Sequence, residues 1–138
     1  MAKGATGFVM SGPDMAAEVA DLCNGAPDIV LECVGKRKLI DACIGLVRSQ
    51  GRVISVGLCT GGDRYDAFRA ISKEVTAIMS VFFNMHEFSS AMDALTGGAF
   101  ALQAIITDQI ALHLLPATFE GLRHHTTQCK VLILPEDL

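Results

Sequence analysis

Two stretches decide the fold, PDIVLECVG at residues 27–35 and QGRVISVGL at residues 50–58. Each is a short, almost continuous apolar run bounded by turn-forming residues, which is typical of parallel strands covered on both faces. Residues 38–47 lie between them and carry apolar side chains at helical spacing. A strand, a helix and a second strand in this order predict a right-handed crossover and a parallel sheet.

The same alternation continues on both sides of this unit. Residues 7–11 predict a strand, followed by a helix with Asp14 at its N-cap and Asn24-Gly25 at its end. Downstream, residues 66–72 predict a short helix and residues 75–83 a further strand. Strands that alternate with helices predict an α/β fold with a doubly wound parallel sheet.

The last third of the chain changes character. Residues 86–95 predict a helix that ends at a pair of glycines, and residues 105–115 form one long extended run. Residues 116–124 predict a helix with proline near its first position, and residues 130–134 a final strand. We therefore expect two parts, residues 1–83 and residues 84–138, of which the second need not belong to the same sheet.

Composition limits the classes of function. The 138 residues are 51% hydrophobic and 19% charged, which predicts surface that a partner covers. No apolar run approaches the roughly 20 residues needed to span a bilayer, and the N-terminus lacks a signal pattern, so we expect a cytoplasmic protein without a membrane partner. A net charge of −4 with dispersed lysine and arginine argues against nucleic acid.

The cysteines and histidines do not predict a metal site. Five cysteines are an odd number and include no C-x-x-C pair, so we expect buried free thiols in a reducing compartment. The four histidines are isolated or adjacent, without the spacing of a ligand set, so we expect no zinc here. The cysteines are Cys23, Cys33, Cys43, Cys59 and Cys129.

The carboxyl ends of parallel strands are where ligands bind in open sheets. Gly35 and Gly57 end two predicted strands; turn glycines are the favoured interpretation, and room for a flat ring or sugar is the alternative. Glu32 is an acid within an apolar strand, where a structural hydrogen bond to the next loop is favoured over catalysis. Lys130 opens the last strand and is either solvated or steadies an anion. The sequence has no G-x-G-x-x-G phosphate turn, and Gly61-Gly62 lacks the third glycine.

Six stretches taken together resemble the C-terminal half of zinc-type alcohol dehydrogenases, members of the medium-chain dehydrogenase/reductase superfamily. Residues 1–83 would then be a partial NAD(P)-binding Rossmann domain, with residues 7–11 as its third strand and its first two strands absent. The tail would resemble the return segment of the catalytic domain. The stretches are GATGFV, PDIVLECVG, QGRVISVGL, KEVTAIMSVFF, AIITDQIAL and KVLILP.

The resemblance also implies roles for residues at the strand ends, with NAD or NADP as cofactor of the complete enzyme. The cofactor ribose would be faced by Cys33, Val34 and Gly35, and the nicotinamide would be flanked by Val56, Gly57 and Leu58. The nicotinamide side of the cleft would be lined by Ser80 and Val81, and the pyrophosphate would be approached by Lys130.

The zinc ligands, the proton relay and the glycine-rich turn of such an enzyme would all precede Met1. We therefore expect a C-terminal fragment or split subunit that binds NAD(P) weakly or not at all and is inactive alone. A missing N-terminal catalytic polypeptide would be one partner. The substrate alcohol and the choice between NAD and NADP stay open at this point.

The sequence also allows two other classes of protein and predicts a further partner, a second copy of the chain. The chain could be a non-enzymatic oligomerising module. It could also be a methyltransferase-like α/β domain, because PDIVLECVG and QGRVISVGL also resemble the fourth and fifth strands of such a domain. Residues 75–83 form an apolar strand without lysine or proline, which would be an aggregation hazard as an open edge. We expect this strand to pair with its own copy in a homodimer or higher symmetric oligomer.

Overall fold

The computed structural model describes residues 4–98, 105–124 and 127–135. It divides the chain into two compact units, of which one is Ala5–Phe83 and the other runs from Asn84 onward.

The first unit is a three-stranded sheet with helices in the connections. All three strands are parallel and follow one another in chain order, with Ile29 level with Arg52 and Arg52 level with Thr76. The α/β class and the parallel sheet expected from the sequence are confirmed. The elements are α1 (Met15–Cys23), β1 (Ile29–Glu32), α2 (Leu39–Leu46), β2 (Arg52–Ser55), α3 (Ala67–Ser72) and β3 (Thr76–Met79).

Local signals set the helix ends. The residue after α1, Asn24, adopts a left-handed conformation with φ of 53°, which is a common way for a helix to stop. Asp14 precedes α1 as predicted, but its side chain makes no capping hydrogen bond. Asp66 does cap α3, because its side chain accepts a hydrogen bond from the backbone N–H of Arg69.

The core lies on one face of this sheet. Ile44 and Val47 from α2 and its C-terminal end are almost completely buried against Val53 of β2. Cys43 completes the buried group, and partly buried apolar side chains from β1 and α3 pack around it. Helix α2 therefore covers this face of the sheet and holds β1 and β2 together.

The opposite face of the sheet is open in the described part of the chain. Leu31, Ile54 and Ile78 are level with one another across the three strands and face away from α2. Leu31 is 59% exposed and Ile78 is 40% exposed. The expectation of strands covered on both faces is therefore wrong for this structure, because a continuous apolar run does not reveal whether a second layer is present.

The predicted strand at residues 7–11 is also wrong. Residues 7–10 have no regular secondary structure. A strand needs a neighbour for its backbone N–H and C=O groups, and no strand in the described ranges pairs with this segment. The segment instead packs its Gly7 against Leu22 of α1.

In its described ranges, the second unit combines two helices, a short 3-10 helix and a two-stranded parallel sheet with a register shift between Ile106 and Asp108. Asn84 and Glu87 form a reciprocal capping box at the start of its first helix. The extended run expected over residues 105–115 stops at Ala111. The elements are α4 (Met85–Thr96), β4 (Ile106–Ala111), the 3-10 helix Leu112–Leu114, α5 (Leu115–Gly121) and β5 (Lys130–Leu134).

Within the described ranges, no helix combines the length and the apolar character that a bilayer-spanning segment requires.

Candidate functional site

A buried carboxylate organises the carboxyl edge of the first sheet. Glu32, at the end of β1, is 4% exposed. Its Oε1 accepts hydrogen bonds from the backbone N–H groups of Val34 at 2.8 Å and Gly35 at 2.7 Å, and its Oε2 accepts one from Ser55 Oγ at 3.3 Å. These bonds compensate the cost of burying the charge. The predicted structural hydrogen bond to the next loop is confirmed.

Two glycines let the loops after β1 and β2 touch. Gly35 has a φ of +72°, and a Cβ added there would lie 2.6 Å from the backbone of Leu58. A Cβ added at Gly57 would lie 2.2 Å from the Gly35 nitrogen and 2.6 Å from Glu32 Oε2. No side chain fits at either position without moving the neighbouring loop. Contact between the two loops is therefore enough to explain why both positions require glycine, without a ligand.

A cavity of about 290 Å³ opens where β2 and β3 end. Four of the predicted site residues line it, namely Gly57, Leu58, Ser80 and Val81. The other lining residues combine apolar side chains with the Cys59 thiol, the Ser55 hydroxyl and the Asp63 carboxylate. A small cavity with apolar walls and a few polar groups suits one flat ring of a ligand.

The other predicted site residues lie outside this cavity. Cys33, Val34 and Val56 follow the same sheet edge, but their side chains are exposed to solvent, with Val34 at 65%. Gly35 belongs to the loop contact described above. Lys130 opens β5 in the second unit, where its side chain is exposed.

A second depression, of about 460 Å³, lies between the loop before α2 and the loop before α3. Arg37, Lys38 and Arg64 line it together with Gly62 and Asp63. Our interpretation of lysine and arginine as dispersed missed this cluster. The run Lys36-Arg37-Lys38 was a visible signal, whereas Arg64 joins it only through the fold.

Asp63 lines both cavities and ties their loops together. Its Oδ1 accepts hydrogen bonds from the backbone N–H groups of Lys38 at 2.7 Å and Arg64 at 2.8 Å. These two bonds, and then the charge of Arg37, lower the pKa of the Asp63 carboxyl and outweigh partial burial. Its Oδ2 is buried and has no hydrogen-bond partner among the described residues. Asp63 is therefore a fixed, ionised carboxylate.

The thiols differ from the expectation of buried cysteines. Cys43 is buried, and its pKa is raised by burial and then by the nearby charge of Glu32. Cys59 is half-buried, but Cys23, Cys33 and Cys129 are exposed, because apolar neighbours in sequence do not guarantee a covered position. No three histidine, cysteine or acidic side chains in the described ranges come together as a metal site. These residues do not fit a zinc ion.

Known proteins identify the family. A sequence profile described as zinc-binding dehydrogenase matches residues 2–97. A search of curated proteins gives no match.

Solved structures of similar fold include three dehydrogenases. 2R,3R-butanediol dehydrogenase from Bacillus subtilis has a TM-score of 0.79 at 22% identity, over 91% of this chain and 36% of its own. An alcohol dehydrogenase from Escherichia coli complexed with NADH has a TM-score of 0.80 at 16% identity, over 94% and 39%. A putative zinc-binding dehydrogenase from Sinorhizobium meliloti bound to NADP has a TM-score of 0.71 at 24% identity, over 78% and 32%.

The present chain thus spans between 32% and 39% of the length of these three structures. The likeness to them establishes the fold, and the sequence profile covers more than half of the chain. The methyltransferase-like alternative is therefore set aside, and the chain belongs to the zinc-binding dehydrogenase family, which confirms the resemblance to zinc-type alcohol dehydrogenases.

Proposed function

We propose that this chain forms the nicotinamide side of the dinucleotide cleft in an NAD(P)-dependent alcohol or polyol dehydrogenase, and that it is inactive alone. One observation carries the proposal: Gly57, Leu58, Ser80 and Val81 line a common cavity at the carboxyl ends of parallel strands. This edge is where open α/β sheets bind their ligands.

The cavity walls suit a nicotinamide ring. Leu58, Met79 and Val81 supply apolar surface that excludes water from one face of a flat ring, and the Ser80 hydroxyl provides a polar group for orientation. The cofactor itself accepts or donates the hydride when it is bound. The contribution of this chain is to hold and orient the ring.

The chemistry of alcohol activation has no candidates in the described part of the chain. No set of side chains there fits a zinc ion, and the sequence lacks a glycine-rich phosphate turn before a helix. The solved dehydrogenases are more than twice as long as the present chain. We therefore propose that it acts as a fragment or split subunit completed by a catalytic polypeptide, and that alone it binds NAD(P) weakly and holds no zinc.

Nuclear magnetic resonance with phosphate-free halves of the cofactor tests the cavity assignment. Nicotinamide riboside at millimolar concentration should shift the backbone signals of Gly57, Leu58, Ser80 and Val81, whereas adenosine should leave them unchanged. Replacing Ser80 with tryptophan should fill the cavity and abolish the shifts, whereas Ile71→Trp, a change at an exposed position of α3, should not. Absence of shifts with nicotinamide riboside, or equal shifts with adenosine, would refute the proposal.

We also propose that β3 joins two copies of the chain. All four residues of β3 are exposed, and β3 lies at the edge of the sheet. The apolar segment continues through Val81 to Phe83, with Phe82 92% exposed. This open edge also supports a second candidate function, an oligomerising module without enzymatic activity, which the nicotinamide experiment separates from the first.

The thiols support a cytoplasmic location as part of the same proposal. All five cysteines are free, and three of them are exposed. Exposed free thiols persist in a reducing compartment.

A further inference from the structure

Three basic side chains from two separate loops meet in one depression. Arg37 and Lys38 precede α2, and Arg64 lies in the loop between β2 and α3. The depression has a volume of about 460 Å³, which is within the range of small-molecule sites.

Hydrogen bonds hold this arrangement in place. The Asp63 carboxylate accepts a hydrogen bond from the backbone N–H of Arg64 in its own loop and one from that of Lys38 in the loop before α2, so the Lys38 bond links the two loops. A Cβ added at Gly61 would lie 2.9 Å from Nη2 of Arg37, so the guanidinium lies directly over this glycine. The basic groups are therefore set on a fixed backbone frame.

The three cations lack the carboxylate partners that three of the other four arginines have. Arg48, Arg69 and Arg123 each form an ion pair with an aspartate or glutamate. Within the described ranges, no carboxylate lies within 4.0 Å of the charged groups of Arg37, Lys38 or Arg64. Their hydrogen-bond donors thus remain available to a ligand.

The charge balance of the depression favours an anion. Among the described residues that line it, Asp63 is the only acidic one, beside three basic ones; its Oδ1 already accepts two backbone hydrogen bonds and its Oδ2 is buried. The whole chain carries a net charge of −4, so this is a local exception. Two guanidinium groups present the paired N–H donors that match phosphate oxygens.

We propose that the depression formed by Arg37, Lys38, Gly62, Asp63 and Arg64 binds the phosphate group of a small molecule. This proposal goes beyond the dinucleotide cleft, because the depression shares only Asp63 with the cavity at the ends of β2 and β3.

Calorimetric titration of the full chain with inorganic phosphate at constant ionic strength tests the site. Arg37→Gln and Arg64→Gln should each weaken phosphate binding roughly tenfold, because each removes charged hydrogen-bond donors. Arg52→Gln is the matched control, since it makes the same change at an exposed residue of β2 that does not line the depression, and it should alter binding less than twofold.

Nuclear magnetic resonance on the unmodified chain gives a readout that needs no variant to fold. Phosphate should shift the backbone signals of residues 37–38 and 62–64, and the same concentration of chloride should not. If Arg52→Gln weakened phosphate binding as much as Arg37→Gln does, or if the shifts spread over all basic residues, phosphate would be an adventitious ion only. Either result would overturn the proposal. Because the nicotinamide experiment uses phosphate-free ligands, either proposal can fail without the other.

Discussion

At the scale of single residues, the carboxyl edge of the sheet depends on the absence of side chains. A Cβ added at Gly57 would lie 2.2 Å from the Gly35 nitrogen, which is a backbone atom and not the end of a flexible side chain. Neither loop can move away freely, because Glu32 binds Gly35 and Ser55 at the same point. The geometry of the candidate ring site therefore rests on this contact.

Replacing Gly57 with alanine should lower the free energy of unfolding by roughly 3 kcal/mol, because the added carbon overlaps backbone and the Glu32 carboxylate. Gly62→Ala is the matched control, since a Cβ there has no heavy atom within 4 Å, and it should change stability by less than about 1 kcal/mol. Urea unfolding followed by circular dichroism measures both. Equal stability of the two variants would show that the loops do not touch as described.

Asp63 should make stability depend on acid pH. Its folded-state pKa is lowered from 3.8, so the folded protein holds fewer protons at this carboxyl than the unfolded chain does in acid. The stabilising contribution is complete above 3.8 and is lost as pH falls through the folded-state pKa.

Unfolding experiments over a pH series test this with Asp63→Asn. The stability difference between the unmodified protein and this variant should be largest near neutral pH and should shrink below 3.8. Asp14→Asn is the control, because the Asp14 side chain makes no capping hydrogen bond. A difference for Asp63→Asn that stays constant with pH would contradict the role assigned to its ionised carboxylate.

At the scale of elements, the helices could be predicted better than the strands. Helix ends are set by neighbours within a turn, such as Asn24 after α1, Asp66 before α3 and Asn84 before α4. A strand depends on a partner far away in sequence, which explains why residues 7–11 have strand-like composition and no strand. Local sequence indicates a preference for extended backbone, whereas pairing with another strand decides whether a strand forms.

The strands also end earlier than their apolar runs. The backbone N–H groups of Val56 and Gly57 both donate to the carbonyl oxygen of Glu32, so the regular ladder between β1 and β2 stops there. Beyond the strand ends, Leu58 and Val81 line the cavity, whereas Cys33, Val34 and Val56 are exposed outside it. The apolar composition of each run therefore does not reveal where its strand ends.

The candidate sites were predictable to different degrees for the same reason. Glu32 could be interpreted correctly because an acid inside an apolar strand requires nearby hydrogen bonds, and these come from residues two and three positions later. Arg64 could not be grouped with Arg37, because the hydrogen bond between Lys38 and Asp63 that joins their loops spans 25 residues of sequence.

At the scale of the whole molecule, buried apolar surface is scarce. Among the described residues, only Ile44, Val47 and Val53 are large side chains that are almost completely buried. Large apolar side chains are exposed in both units, including Phe68 and Phe119. Monomeric soluble proteins rarely leave apolar surface on this scale exposed, which supports the proposed partner. We therefore expect such a partner to contribute much of the stability of the chain.

The edge strand β3 is the part of this surface for which assembly can be tested most directly. Its apolar residues continue into Val81 and Phe83, and a strand of this kind pairs readily with another copy of itself. In a two-fold pairing, only side chains at the centre of the paired segment lie near their own copies across the axis. Met79 is the middle residue of segment 75–83, so a lysine there places two like charges close together.

Met79→Lys should therefore convert a homodimer or higher symmetric oligomer to monomer or make the chain insoluble, as measured by light scattering with circular dichroism as the check on folding. Met79 is 65% exposed, so the lysine itself fits the isolated fold. Ile71→Lys is the matched control, because Ile71 is 73% exposed in α3, away from the edge, and it should leave the assembly intact. An unmodified chain that is monomeric, or a Met79→Lys chain that stays dimeric with an unchanged spectrum, would show that β3 is not the interface.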